Sequence, residues 1–221
     1  MEKKLVAFIS LASLFKDNGY PVFLVGGAVR DYLLNKPLSD LDITGPASPL
    51  EIKQFIDDVD MTFAKFGSIK FKYCDEVFEY TTFRIEKDYL DYRHPQEIEF
   101  VDDITLDVKR RDFSINALYM DSKLKIYDYV DGIKDINNRL LNLIGDKEIR
   151  FVQDPLRIIR GLRFKVDYDL DIEPLTYQEM VKHSALINSL RREKIKQEIN
   201  KAKNKIELIK LLKDMNIDLD M

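Results

Sequence analysis

Apolar positions recur at helical spacing from the start of the chain: Leu5, Phe8, Ile9, Ala12 and Phe15 share one face. Lys16-Asp17 and then Asn18-Gly19 follow as a stop, which predicts an N-terminal helix. Residues 21–25 (PVFLV) read as a buried strand, Gly26-Gly27 as a turn, and 28–34 as a short helix. A polar loop at 35–39 leads to a strand at 41–44. Ser48 and Glu51 have the spacing of a capping box, for a helix through about residue 57. Ile69, Phe71 and Tyr73 alternate with Lys70 and Lys72, predicting strands at 69–73 and 77–83 joined across Asp75-Glu76. Residues 84–96 (RIEKDYLDYRHPQ) read as a charged, aromatic loop, and strand character resumes at 98–101 and 124–130. Only helical spacing follows, at about 133–142, 147–165, 174–187 and 191–213. Strands first and helices afterwards predict an α+β N-terminal part and a helical C-terminal part.

The chain has 221 residues, 45% hydrophobic and 33% charged, enough for one sizeable domain or two small ones and unlike a disordered chain. The net charge of -4 hides a gradient, because residues 1–149 hold 20 basic and 27 acidic side chains and residues 150–221 hold 15 and 12. Within 182–213 the count is 10 basic against 3 acidic, a local excess that a polyanion would feel. One cysteine, Cys74, and two separated histidines, His94 and His183, argue against an internal disulfide and against zinc chemistry. No run approaches the roughly 18 apolar residues that span a membrane, so a soluble, cytoplasmic protein is expected.

The residues with the most chemical content begin at LVGGAVRDYLLNKPLSDLDIT. A strand entering Gly26-Gly27 and then a helix offers backbone N–H groups to an anion, with phosphate the expected one. Asp40 and Asp42 are spaced i and i+2 on the next strand, which aims both carboxylates at one face of the sheet. Their mutual repulsion is relieved by a hard divalent cation such as Mg²⁺, and a pair of such ions can activate a hydroxyl and hold a triphosphate for in-line displacement.

The order GG-x-V-R-D followed by D-x-D resembles the class II tRNA nucleotidyltransferases, which include CCA-adding enzymes and bacterial poly(A) polymerase relatives. Further along, Lys109 to Ala117 (KRRDFSINA) is similar to the family's RRDF segment. The resemblance gives Arg111 and Asp112 the nucleotide's phosphate and sugar. Gln153 to Phe164 (QDPLRIIRGLRF) resembles the family's base-selecting EDxxR segment. On one helix Asp154, Arg157, Arg160 and Arg163 would form a slanted polar stripe opposite Ile158 and Ile159. An aspartate accepting from an exocyclic amino group beside an arginine donating to a ring nitrogen suits cytosine and adenine, and rejects guanine and uracil. Arg160 and Arg163 then reach the triphosphate or brace that pair. Glu79 stands where the family has a further carboxylate, as base toward an RNA 3′-hydroxyl or as a metal ligand. The loop at 84–96, with Asp88, Tyr89, Asp91, Tyr92 and Arg93, resembles the flexible loop tied to addition of the terminal adenosine. Arg191 to Glu198 resembles a helical E-R-I-x-x-E element that stiffens the neck, with Lys194 in the arginine position.

The resemblance implies a polymerase-beta-like palm with a mixed sheet and flanking helices over 1–140, and an all-helical, nucleotide-selecting and RNA-contacting neck over 141–221. It further implies a Mg²⁺-dependent enzyme adding C and A to a tRNA or other RNA 3′ end from CTP and ATP. The site would comprise catalytic Asp40, Asp42 and Glu79, with Asp40 and Asp42 on the metal. Gly26, Gly27, Arg30, Arg111, Asp112, Asp154, Arg157, Arg160 and Arg163 would meet the nucleotide. Gln153 replaces the glutamate of EDxxR, which removes a charge beside the base-reading pair. Beside that family the sequence is expected to be a short form lacking most of the body and tail. Three routes to RNA stay open: a minimal enzyme using the basic 182–213 helix, a homodimer that borrows a surface, or a relative with an altered substrate. An A-adding or poly(A) polymerase, a toxin-like tRNA-modifying transferase and a silent RNA-binding module are the competing readings.

Overall fold

A computed structural model describes residues 2–38, 40–89 and 95–217. The chain divides into two compact units, one of Met1–Glu86, Glu97–Arg111 and Ile115–Ile133, the other of Lys87–Gln96, Asp112–Ser114 and Lys134–Met221.

In the first unit α1 (Lys3–Asp17) buries Leu5, Phe8, Ala12 and Phe15 of the predicted stripe, with Leu11 in place of the half-buried Ile9, and ends at Asn18 and a positive-φ Gly19. The chain continues through β1 (Phe23–Val25), α2 (Gly27–Leu33), β2 (Leu41–Gly45), α3 (Pro49–Ile52), β3 (Ser68–Tyr73) and β4 (Glu76–Thr82), and later through the short α4 (Ile104–Asp107). Short strands β7 (Tyr119–Met120) and β8 (Ile126–Tyr127) complete a six-stranded sheet ordered β3-β4-β2-β1-β7-β8. Only β2 and β4 run parallel within it, so the sheet is mixed. Alternation decides its faces. Ile43, Ile69, Phe71, Phe78 and Tyr80 are buried, and Tyr80 stacks on Phe15 at 5.7 Å. The intervening Lys70 and Glu79 point the other way, into solvent.

Several predicted bounds need correction. The capping box of Ser48 and Glu51 is formed, but α3 stops at Ile52, and Phe55 packs edge-on against Phe15 at 5.1 Å where helix was expected. The β3–β4 turn is Cys74-Asp75, both at positive φ, and not Asp75-Glu76. Such a two-residue left-handed turn matches the twist of its strands. Residues 84–96, read as a loop, instead contribute to a two-stranded sheet of β5 (Arg84–Tyr89) and β6 (Pro95–Phe100). Asp91, Tyr92 and Arg93 of the proposed flexible loop lie outside the described residues, as does His94.

The second unit holds most of α5 (Gly132–Asn137), then β9 (Leu140–Leu141), α6 (Lys147–Gln153), α7 (Leu156–Tyr168), β10 (Asp171–Ile172), α8 (Pro174–Lys182), α9 (Arg192–Asn200) and α10 (Lys205–Asp214). β9 and β10 pair in parallel, a small addition to an otherwise helical unit. The helix predicted over 147–165 is broken at Asp154-Pro155. Proline disfavours the helical conformation in the residue before it, and Asp154 is accordingly extended (φ -146, ψ 91). The 191–213 helix is likewise two helices, the second capped by the Asn204 side chain on Glu207 N–H. Among the described residues no helix is long and apolar enough to cross a membrane.

Candidate active site

β1 ends at Val25, and Gly26 takes φ 71 and ψ -129, a backbone conformation that side chains resist, before α2 starts at Gly27. A β-carbon built on Gly26 would lie 3.8 Å from Asp42 Oδ2 and 3.9 Å from the Asn116 carbonyl oxygen, so the glycine turn borders the Asp42 carboxylate. Asp42 sits in β2 directly opposite Glu79 of β4, while Asp40 is exposed and just precedes the strand instead of lying in it. The three acids interact. Burial first, then the charges of Glu79 and Asp40, push the Asp42 carboxyl up to about 6, against a smaller opposing pull from Arg111 and Lys70. Among the described residues no group of three or more His, Cys, Asp or Glu is arranged to hold a metal. Asp40 and Asp42 supply two hard oxygen donors, a number that suits an ion taking its other ligands from phosphate and water.

Arg30 is buried, donating from Nε and Nη2 to Asp31 Oδ1 at 3.2 and 3.0 Å and from Nη1 to Asn116 Oδ1. Arg111 is anchored by Asp107: Nε and Nη2 donate to Asp107 Oδ2 at 3.1 and 2.8 Å. Its Nε also reaches the Tyr119 hydroxyl at 2.7 Å, and that hydroxyl donates to Asp107 at 2.8 Å. Arg110 binds the other oxygen of Asp107 at 2.7 Å. Burial alone would raise the Asp107 carboxyl, but Arg111 and Arg110 outweigh it and hold it at about 2. Asp107 was missed by sequence reading although it stands at i-3 and i-4 from the two arginines, the spacing of helical ion pairs.

In the second unit Asp112 is held by Arg160, whose Nε donates at 2.8 Å, and by Phe113 N–H at 2.8 Å. Burial opposes ionisation there, yet Arg160 keeps the Asp112 carboxyl below its usual range. Asp154 is not on the helix with the arginines. Its Oδ1 accepts Leu156 N–H at 3.1 Å across the proline break, at the entrance of α7. Arg157 is buried and donates to the Arg150 carbonyl oxygen at 2.6 Å. Arg163 donates to Glu198 at 2.8 Å and to Asp167 at 3.4 Å. The predicted single stripe is therefore three arginines with three different anchors. Glu198, from the predicted stiffening element, is 2% exposed and holds Arg163, which accords with a structural task.

A mixed sheet that presents acids on its central strands, next to a glycine turn and an aspartate-anchored arginine, defines a nucleotidyltransferase palm. Residues 22–142, more than half of the chain, match the model of the poly A polymerase head domain, and the chain belongs to that family. It is 41% identical over 203 residues to CCA-adding enzymes of several Staphylococcus aureus strains, covering 92% of this chain and 48% of theirs. The chain thus spans about half the length of these curated relatives. Among solved structures it is similar to the Bacillus stearothermophilus CCA-adding enzyme in complex with CTP, with a TM-score of 0.89 and 28% identity over 99% of this chain and 54% of that one. The fold alone is shared with the Thermotoga maritima CCA-adding enzyme complexed with tRNA, at a TM-score of 0.75 and 23% identity over 97% of this chain and 53% of that one.

Proposed function

We propose that this chain carries the catalytic and nucleotide-selecting machinery of a template-independent RNA nucleotidyltransferase. It adds C and A to the 3′ end of tRNA from CTP and ATP and releases pyrophosphate. The observation that carries the reading is the Asp42 carboxyl, pushed up to about 6 by burial and by two neighbouring acids beside the Gly26 turn. A site that concentrates negative charge at such a cost is one that a cation relieves. The oxygen donors of Asp40 and Asp42 fit Mg²⁺, which when bound would stabilise charge on the phosphates and favour ionisation of the attacking hydroxyl.

The chain's own groups have separable tasks. The 3′-oxygen of RNA bonds to the α-phosphorus as the bond to the pyrophosphate oxygen breaks, and Glu79 takes the hydroxyl proton or completes the ion's shell. Gly26 and Gly27 leave the backbone open to phosphate, and Arg30 supports that turn through Asn116. Arg111, kept charged by Asp107, offers positive charge to the triphosphate. In the helical segment 141–221, proposed as the neck, Asp154 and Arg157 read the amino-plus-acceptor edge shared by cytosine and adenine. Arg160 orients Asp112 toward the ribose, and Arg163 braces α7. The relatives named CCA-adding enzymes support the addition of C and A, and tRNA as the acceptor and the cytoplasm as the setting belong to the same proposal.

The test is incubation with tRNA lacking its CCA end, Mg²⁺ and each NTP separately. CMP and AMP are expected in the product, and GMP and UMP are not. AMP alone would favour an A-adding or poly(A) enzyme, and nucleotide transfer elsewhere on tRNA a modifying transferase. No transfer from CTP or ATP, or full activity in Asp42→Ala, would overturn the reading.

A further inference from the structure

The acids of the palm stand in a row that a lysine shares. Asp42 is opposite Glu79 in the parallel β2–β4 pair, and Glu79 is opposite Lys70 in the antiparallel β3–β4 pair. Directly opposed residues of neighbouring strands project from the same face, so the three side chains stand side by side. Lys70 Nζ is ion-paired with Glu79 Oε1. Asp60, which bridges Lys70 through the backbone on its other side, has its Oδ1 engaged by Thr62 N–H at 2.9 Å and by the Thr62 hydroxyl, and its charge acts on Lys70 less than that of Glu79. Both partners of the Lys70–Glu79 pair are about half exposed, with side-chain exposures of 50% and 51%, and such pairs contribute little to folding. The pair gives Glu79 a cationic partner on the side of the row opposite Asp42, against which the Glu79 charge still acts.

We propose that Lys70 is a positioning residue for the nucleotidyl transfer, holding Glu79 apart from the divalent-ion set so that Asp40 and Asp42 bind the ion and Glu79 stays available to the attacking hydroxyl. This rests on the reading of the palm given above and decides between the two tasks left open for Glu79. A lysine suits the role, because a single mobile ammonium can steer one carboxylate oxygen without locking both.

Mn²⁺ binding, followed by titration calorimetry on the unliganded protein, reads the proposal without any turnover. In Lys70→Met, Glu79 is released toward Asp42, and Mn²⁺ affinity is expected to rise about fivefold or more as a third carboxylate joins the ion. In Lys70→Met with Glu79→Gln that gain should vanish, whereas mere removal of a positive charge would leave it in place. With CCA-less tRNA, Lys70→Met should lose about tenfold or more in kcat at unchanged KM for CTP, and Lys70→Arg should restore most of it. Thermal unfolding of Lys70→Met close to that of the unmodified chain checks the fold. Unchanged Mn²⁺ affinity in Lys70→Met, or a gain that persists with Glu79→Gln, overturns the proposal. Failure of the palm reading is distinguishable from these, since Mn²⁺ binding would then be indifferent to Asp42→Ala.

Discussion

Replacing Asp42 by Asn is expected to stabilise the fold while ending transfer. The carboxyl titrates near 6 in the folded chain against an ordinary 3.8, so the folded state holds its proton more tightly than the unfolded one. Its ionisation therefore costs stability as pH rises through that window, by at most about 3 kcal/mol once pH is well above 6. Asp42→Asn should raise the melting temperature in metal-free buffer near neutrality and give no gain below about pH 4. Mg²⁺ should raise the melting temperature of the unmodified chain and not of the variant. Asp107 has the opposite sign. Its carboxyl is depressed to about 2, so its contribution is full above the ordinary carboxylate range and is lost as pH falls through about 2. Asp107→Asn leaves Arg110 and Arg111 without their buried partner and should cost about 3–5 kcal/mol in urea unfolding near neutrality, with the gap closing toward pH 2. Spacing pointed to Asp40 and Asp42 as an i and i+2 pair on one strand, but only Asp42 lies in β2 and Asp40 just precedes it. Asp107 could not be singled out in that way, since nothing in a linear string says which of 39 acidic residues is fully enclosed.

Elements were legible where one face is buried and the pattern is long enough to show it. The β3–β4 hairpin alternates cleanly, because Ile69, Phe71, Phe78 and Tyr80 all enter the core. In β5, by contrast, Glu86, Lys87 and Asp88 occupy successive positions and no face is uniformly apolar, so it reads as a loop, whereas the strand expected from 98 begins inside β6. β7, β9 and β10 have two residues each, too few for any period, and β8, equally short, lies inside the stretch expected as strand at 124–130. The proline in QDPLR detaches Asp154 from α7, against a helical spacing that otherwise runs through 147–165. Pro155→Ala frees Asp154 to extend the helix, at a stability cost expected to be within about 1 kcal/mol. If the extended Asp154 reads the base, the variant should lose discrimination between CTP and UTP by about tenfold or more in kcat/KM, with total incorporation less affected. Competition assays with mixed NTPs measure this directly.

At the scale of the whole chain, the two units are interleaved: residues 87–96 and 112–114 belong with the helical unit although sheet residues surround them in sequence. A pass from one end to the other does not reveal such returns, whereas the charge gradient was plain from counting. The excess of 10 basic over 3 acidic residues in 182–213 falls mainly on α9 and α10 and the segments flanking them. RNA affinity measured by filter binding should therefore fall at least about tenfold between 50 and 200 mM salt, and charge reversal at Lys203, Lys205 and Lys210 should flatten that slope. A flat salt response would argue that this surface does not meet RNA. The tight turn between β3 and β4 gives such measurements a convenient reporter. Its tip carries Cys74, exposed and the sole thiol of the chain, on the hairpin that bears Lys70 and Glu79. A maleimide dye would therefore attach at one known place, and its fluorescence could follow nucleotide or RNA arrival without any engineered cysteine.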